Sequence, residues 1–206
     1  MESNTKDTYR TLKNPSDEIL YKDRKSKFYG YAFPITTEEQ VKPIIEQLRK
    51  QHHTAGHVCY AWQLGVDKST YRANDDGEPN NSAGMPIYGQ IKAFEVTNVL
   101  VAVPRIFGGT KLGVGGLIQA YKTTAQLALE NATIIEKIVA CFFEITFEYS
   151  EMDKVMRIIK KHDLQLNSQK LELNCEFQIS CRKSIGDIVF NAFDKIHTIT
   201  IVQMET

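Results

Sequence analysis

The run Val96-Thr-Asn-Val-Leu-Val-Ala-Val constrains this chain more than any other stretch. It is a nearly continuous series of β-branched and apolar residues, the pattern of a strand covered on both faces, so it has to be central. It leads directly to Arg105-Ile-Phe-Gly108-Gly109-Thr-Lys111-Leu-Gly113-Val-Gly115-Gly116, after which Leu117, Ala120, Tyr121, Thr124 and Ala128 repeat at helical spacing. The order is strand, glycine-rich loop, helix.

The flanking sequence supplies partners for that strand. Residues 1–35 read as strands: Ile19-Leu-Tyr, a charged turn from Lys22 to Lys27, then the aromatic run Phe28 to Phe33 bounded by Pro34. Thr36 and Glu39 have capping-box spacing, and Val41, Ile44, Ile45 and Leu48 form an amphipathic stripe. An interior proline costs about 3 kcal/mol, so Pro43 makes that helix start late or bend. His57 to Leu64 reads as a strand that turns at Gly65-Val-Asp-Lys and returns antiparallel through Ser69-Thr-Tyr-Arg.

A second pattern begins near Lys137. Cys141 to Tyr149 alternates as a strand. Ser150 with Asp153 is placed to cap a helix carrying Met152, Val155, Met156 and Ile159. A strand between His162 and Glu172 and another at Phe177, Ile179 and Cys181 follow. Ser184 with Asp187 then precedes a second helix, and Thr198 to Val202 is a last strand. This is βαββαβ, the ferredoxin-like arrangement. The division falls at 132–138, giving domains 1–135 and 138–206 and an α+β protein. Tyr149 and Met156 read as core; His52, His53 and His162 read as solvent-facing helix ends.

Composition narrows the function classes. With 206 residues and 42% hydrophobic content the chain buries an ordinary core. No apolar run approaches the roughly 20 residues of a membrane span. Met1-Glu-Ser-Asn-Thr-Lys-Asp lacks the apolar core of a signal peptide, so a cytoplasmic protein with no membrane partner is expected. Cys59, Cys141, Cys175 and Cys181 show no CxxC spacing and read as reduced thiols, not zinc ligands or disulfides. Lys and Arg number 25 against 25 Asp and Glu, so RNA binding would have to use a local patch.

Two loops carry the candidate chemistry. The glycine loop (Gly108, Gly109, Gly113, Gly115, Gly116) opening a helix offers free amides to an anion, with Arg72, Arg105 and Lys111 supplying charge. The Gly-Lys-Ser/Thr order of a P-loop is absent, and glycines also serve tight turns and close packing. The acidic loop holds Asp75, Asp76 and Glu78, with His57 near it if the hairpin forms. Those acids either hold Mg²⁺ or pair with Arg72, Arg105 and Lys111 as a structural lock, the reading favoured here. No cofactor other than Mg²⁺ is suggested and no catalytic residue is assigned. His57 reads first as a hydrogen-bonded strand residue. Lys154, Arg157 and Lys161 form a basic helix face, read first as solvated.

The motifs Arg72-x-x-Asp75-Asp76-Gly77-Glu78-Pro79, Ala83-Gly84-x-Pro86-Ile87, Thr97-Asn98-Val99 and Arg105-x-Phe107-Gly108-Gly109-x-Lys111-Leu112-Gly113-x-Gly115-Gly116-Leu117 closely resemble those of the YigZ/IMPACT family. The likeness runs from about Tyr21 to the chain end. It departs at Ile106, where the family usually has tyrosine, and at Gln119, where arginine is common. The resemblance implies an N-terminal domain of the ribosomal protein S5 domain 2-like fold and a C-terminal domain similar to the last domain of elongation factor G. It also implies a translation-associated regulator that binds RNA, the ribosome or a ribosome-associated protein. A metal-dependent phosphate-handling enzyme and a pure protein-interaction adaptor are the alternatives. The sequence leaves the oligomeric state open.

Overall fold

The computed structural model describes residues 7–66 and 69–204. The chain is a mixed α/β protein of two compact units. One runs from Tyr9 to Lys137; the other begins at Ile138 and also takes in Asp7 and Thr8.

In the first unit, β1 (Thr8–Leu12) pairs with β7 (Ile134–Ile138) as a separate ribbon. The main sheet has the order β2 (Ile19–Asp23), β3 (Ser26–Pro34), β6 (Val99–Ile106), β4 (His57–Leu64), β5 (Thr70–Asn74), with every neighbouring pair antiparallel. The middle strand is β6, and all of it except Ile106 is buried. Its alternating side chains serve two cores. Val99, Val101 and Val103 pack with Phe28, Cys59 and Ala61 beneath α2 (Gly84–Ala93) and α3 (Gly113–Glu130). Leu100 and Ala102 pack with Tyr31, Val58 and Trp62 beneath α1 (Val41–Gln51). The strand starts three residues later than its apolar run because Asn98 takes a left-handed φ of +56° and turns the chain into it.

The same physics relocates a helix start. The capping interaction uses Thr37 and Gln40, not Thr36 and Glu39: Gln40 Oε1 accepts from the backbone N–H of Thr36 (2.6 Å) and Thr37 (3.2 Å). A 3-10 turn, Glu38–Gln40, precedes α1, which places Pro43 in the first helical turn where a missing N–H leaves no bond unmade. The β4–β5 hairpin forms with Trp62 opposite Arg72; Asp67 and Lys68 of its turn lie outside the described residues. His52 is not solvent-facing. It is buried, with Nε2 2.6 Å from the Tyr31 hydroxyl, and His53 is exposed.

In the second unit the order is β8 (Ala140–Glu148), α4 (Met152–Lys161), β9 (Gln165–Lys170), β10 (Asn174–Arg182), α5 (Gly186–Asp194), β11 (Ile199–Gln203), and the sheet order is β11-β8-β10-β9. Phe143, Ile145, Phe147, Phe177 and Ile179 meet Val155, Ile159, Val189 and Phe193 in its core. Ser150 and Ser184 do not cap these helices with their side chains: each lies in a 3-10 turn before its helix, and Ser184 donates its hydroxyl to Asp7. Tyr149 is 61% exposed, so it is not a core residue, whereas Met156 packs partly buried against the core. Among the described residues, no helix is long and apolar enough to cross a membrane.

Candidate functional site

The acidic loop follows β5, and each of its acids is turned to a different partner. Asp75 accepts three backbone N–H groups, from Asn81 (2.8 Å), Ala83 (2.9 Å) and Gly84 (2.8 Å), and so satisfies donors at the start of α2 that no helical carbonyl reaches. Asp76 binds Arg49 Nη2 through one oxygen (2.6 Å) and the Val58 N–H through the other (2.6 Å), while Asp76 N–H donates to Asn74 Oδ1 (2.7 Å). His57 is brought to this loop as expected from the hairpin: its Nδ1 lies 2.8 Å from the Asp76 carbonyl oxygen, an arrangement in which Nδ1–H donates.

Glu78 is the buried member, 8% exposed. Its Oε1 accepts from Arg105 Nη1 at 2.6 Å and from the Tyr121 hydroxyl at 2.8 Å. The Cys59 sulfur lies 3.0 Å from the Asp75 carbonyl and 3.3 Å from the Tyr121 oxygen. Burial, with Glu78 nearby, raises the pKa of both the Tyr121 hydroxyl and the Cys59 thiol, so both keep their protons at neutral pH. Arg105 sits between the rings of Phe28 and Phe107, each centroid 5.5 Å from its guanidinium carbon, and among the described residues its Nε is buried without a partner. A network of this kind fixes β4, β6, α3 and the acidic loop to one another. Among the described residues no group of three or more His, Cys, Asp or Glu side chains converges in a way that would hold a metal.

The glycine loop faces outward. Gly109, Thr110, Lys111, Gly113, Val114 and Gly115 are exposed at the entry to α3, and Gly109 (φ +87°) and Gly113 (φ +74°) use left-handed conformations. Gly108 has a separate reason to be glycine: a Cβ there would lie 2.0 Å from the backbone carbon of Lys25, in the β2–β3 turn. Gly108 N–H also donates to Ser26 Oγ (3.2 Å). Gly116 packs on Leu112.

Arg72 is not part of this surface. It lies on the α1 side of the sheet, 3.3 Å from Glu38, at the rim of a groove of about 370 Å³ also lined by Arg49, Tyr60 and Trp62. Arg105 is on the opposite side and buried. The three cations expected together are therefore divided, and of the three Lys111 alone is exposed beside the glycine loop.

The turn that Gly108 touches is the charged turn between Lys22 and Lys27, which none of the motifs includes. Arg24 (φ +42°) and Lys25 (φ +68°) are both left-handed. Lys22 pairs across the hairpin with Lys27, which itself stands opposite Ile106. One signal was available: a two-residue turn of this hand is ordinarily built from Asn-Gly or Asp-Gly, and here the sequence has Arg-Lys.

Comparison with known proteins gives consistent matches. The profile of the Impact N-terminal domain matches residues 24–129. The chain is 30% identical over 147 residues to the IMPACT family member YigZ of Escherichia coli, covering 70% of this chain and 72% of that protein. It is 29% identical over 171 residues to the IMPACT family member YvyE of Bacillus subtilis, covering 83% and 78%. A crystal structure described as that of a hypothetical protein aligns over 97% of this chain and 98% of its own with a TM-score of 0.71 at 22% identity, a likeness of fold.

Proposed function

The chain belongs to the IMPACT family, whose N-terminal domain it carries, and on that premise we propose that it is a non-enzymatic, cytoplasmic regulator associated with translation, binding RNA through the glycine loop and Lys111. The observation that carries this reading is the contrast between the two loops. Asp75, Asp76 and Glu78 spend their oxygens on backbone amides, Arg49, Arg105 and Tyr121. The glycine loop leaves Lys111 and the first amides of an 18-residue helix at the surface, where the helix dipole favours phosphate. An acid set so occupied gives little support to a metal-dependent phosphate-handling enzyme. In this reading the first unit is the S5 domain 2-like domain and the second, with its βαββαβ order, is the ferredoxin-like domain similar to the last domain of elongation factor G; both resemblances are to parts of the translation machinery.

The test is co-sedimentation of the full chain with purified ribosomes across a salt series. Binding that falls with salt and is weakened by Lys111→Ala supports the reading, and no association at low salt contradicts it. A protein-interaction adaptor is the second reading, favoured by the exposed apolar residues Val114 (52%) and Ile118 on α3. Val114→Asp would then release a protein partner while leaving RNA binding intact.

A further inference from the structure

We infer that the Arg24–Lys25 turn joins Lys111 and Phe107 as a seat for single-stranded RNA, the turn's cations holding phosphates and the Phe107 ring taking a stacked base. This inference rests on the RNA-binding reading above and specifies it.

Three observations carry it. First, the hairpin tip and the glycine loop are in direct contact, since Gly108 lies against the backbone of Lys25 and Ser26. Cations far apart in sequence are thus carried on touching loops: Arg24 and Lys25 at the hairpin tip and Lys111 in the glycine loop, all exposed, with Asp23 the one acid in the turn. Among the described residues none of these three makes an ion pair. In a chain of zero net charge that is a local concentration of unpaired positive charge, which is what a polyanion requires.

Second, Phe107 follows β6 directly and is 52% exposed, with the Arg105 guanidinium near its ring. An aromatic ring standing among cations is how single-stranded nucleic acid is bound without reading its sequence: every base has a face to stack, and the backbone follows the positive groove. A duplex offers no free base to such a ring, so the single strand is the better fit. Third, the turn's residues are poor choices for its backbone. Both central positions are left-handed, a conformation that asparagine and glycine accept readily and that a long cationic side chain does not. The fold alone would be better served by Asn-Gly, and the charged pair is explained by a ligand.

That mismatch gives a test in which loss of binding and loss of folding separate. The double variant Arg24→Asn/Lys25→Gly should melt at the same temperature as the native chain or higher. Its affinity for a fluorescent oligouridylate should fall at least about tenfold at low salt. The slope of log K against log salt should become shallower by about 1.4, two phosphate contacts at roughly 0.7 each for a single strand. Phe107→Ala should weaken binding between about fivefold and a hundredfold with the salt slope unchanged, and duplex RNA should compete poorly. A turn variant that binds like the native chain, a Phe107→Ala change without effect, or equal competition by duplex would each overturn the inference. If Lys111→Ala alone weakens binding, the glycine-loop reading stands without this extension; if the native chain binds no RNA at any salt, both fail.

Discussion

Replacing Glu78 with alanine should cost this protein more than any other change in its acidic loop. The side chains of Glu78 and Arg105 are 4% and 8% exposed, and the carboxylate accepts hydrogen bonds from both Arg105 Nη1 and the Tyr121 hydroxyl. Removing one partner of a buried pair costs about 3–5 kcal/mol. Among the described residues Arg105 Nε already lacks a partner, and the rings of Phe28 and Phe107 are what remains beside the guanidinium. A loss of about 4 kcal/mol is a large part of the 5–15 kcal/mol that typically separates native from unfolded. The assay is urea unfolding followed by fluorescence of Trp62, the one tryptophan, which is 4% exposed in the α1-side core of the same unit. With a urea slope of about 2 kcal/mol/M, the midpoint drops by about 2 M. Glu78→Leu combined with Arg105→Met, which removes both charges, should recover to within about 1 kcal/mol of the native value. A midpoint shift below about 0.5 M for Glu78→Ala would refute the lock and return Glu78 to the pool of acids able to serve a metal.

Further outcomes follow from neighbouring residues. Asp75→Ala should destabilise the unit by about 3 kcal/mol in the same unfolding assay, because three backbone donors at the start of α2 lose a charged acceptor. Gly84→Ala should yield little folded protein on size-exclusion chromatography, since the new Cβ would stand 2.5 Å from the Asn74 backbone nitrogen. Gly115→Ala meets nothing within 4 Å and should raise stability by up to about 1 kcal/mol; a melting temperature that falls instead would show that Gly115 is needed by the fold. Burial lowers the pKa of His52, with Glu18 opposing in part, so the unfolded chain binds that proton more readily than the native one. Stability should therefore decline as pH falls below about 6.5, with a smaller decline in His52→Gln; a melting temperature that rises on acidification would contradict the sign.

Much of the fold was legible because it follows from side-chain periodicity. The run ending at Val103 announced a doubly covered strand, and β6 is the middle of five. What misled was local. Thr36 and Thr37, adjacent and chemically alike, offer two capping registers, and only the path of the chain into α1 selects Thr37. Ser184 looks like a cap until Asp7, 177 residues away in sequence, claims its hydroxyl. Tyr149 continues the alternation of β8 but falls in the 3-10 turn after it, where no core faces it. At the candidate site the motifs marked the two loops, but motif order does not reveal on which side of a sheet a residue stands. Arg72 and Arg105 lie on opposite sides, and the β2–β3 turn that does reach the glycine loop is some 80 residues from it, brought there by the pairing of β3 with β6.

The most direct test is amide chemical-shift mapping of the isotope-labelled chain during titration with a short oligouridylate. The account predicts that the largest shifts fall on residues 22–27 and 107–116, with the amides of Asp75, Asp76 and Glu78 little moved. Shifts centred on the acidic loop, or on the Arg72 groove beside α1, would contradict it.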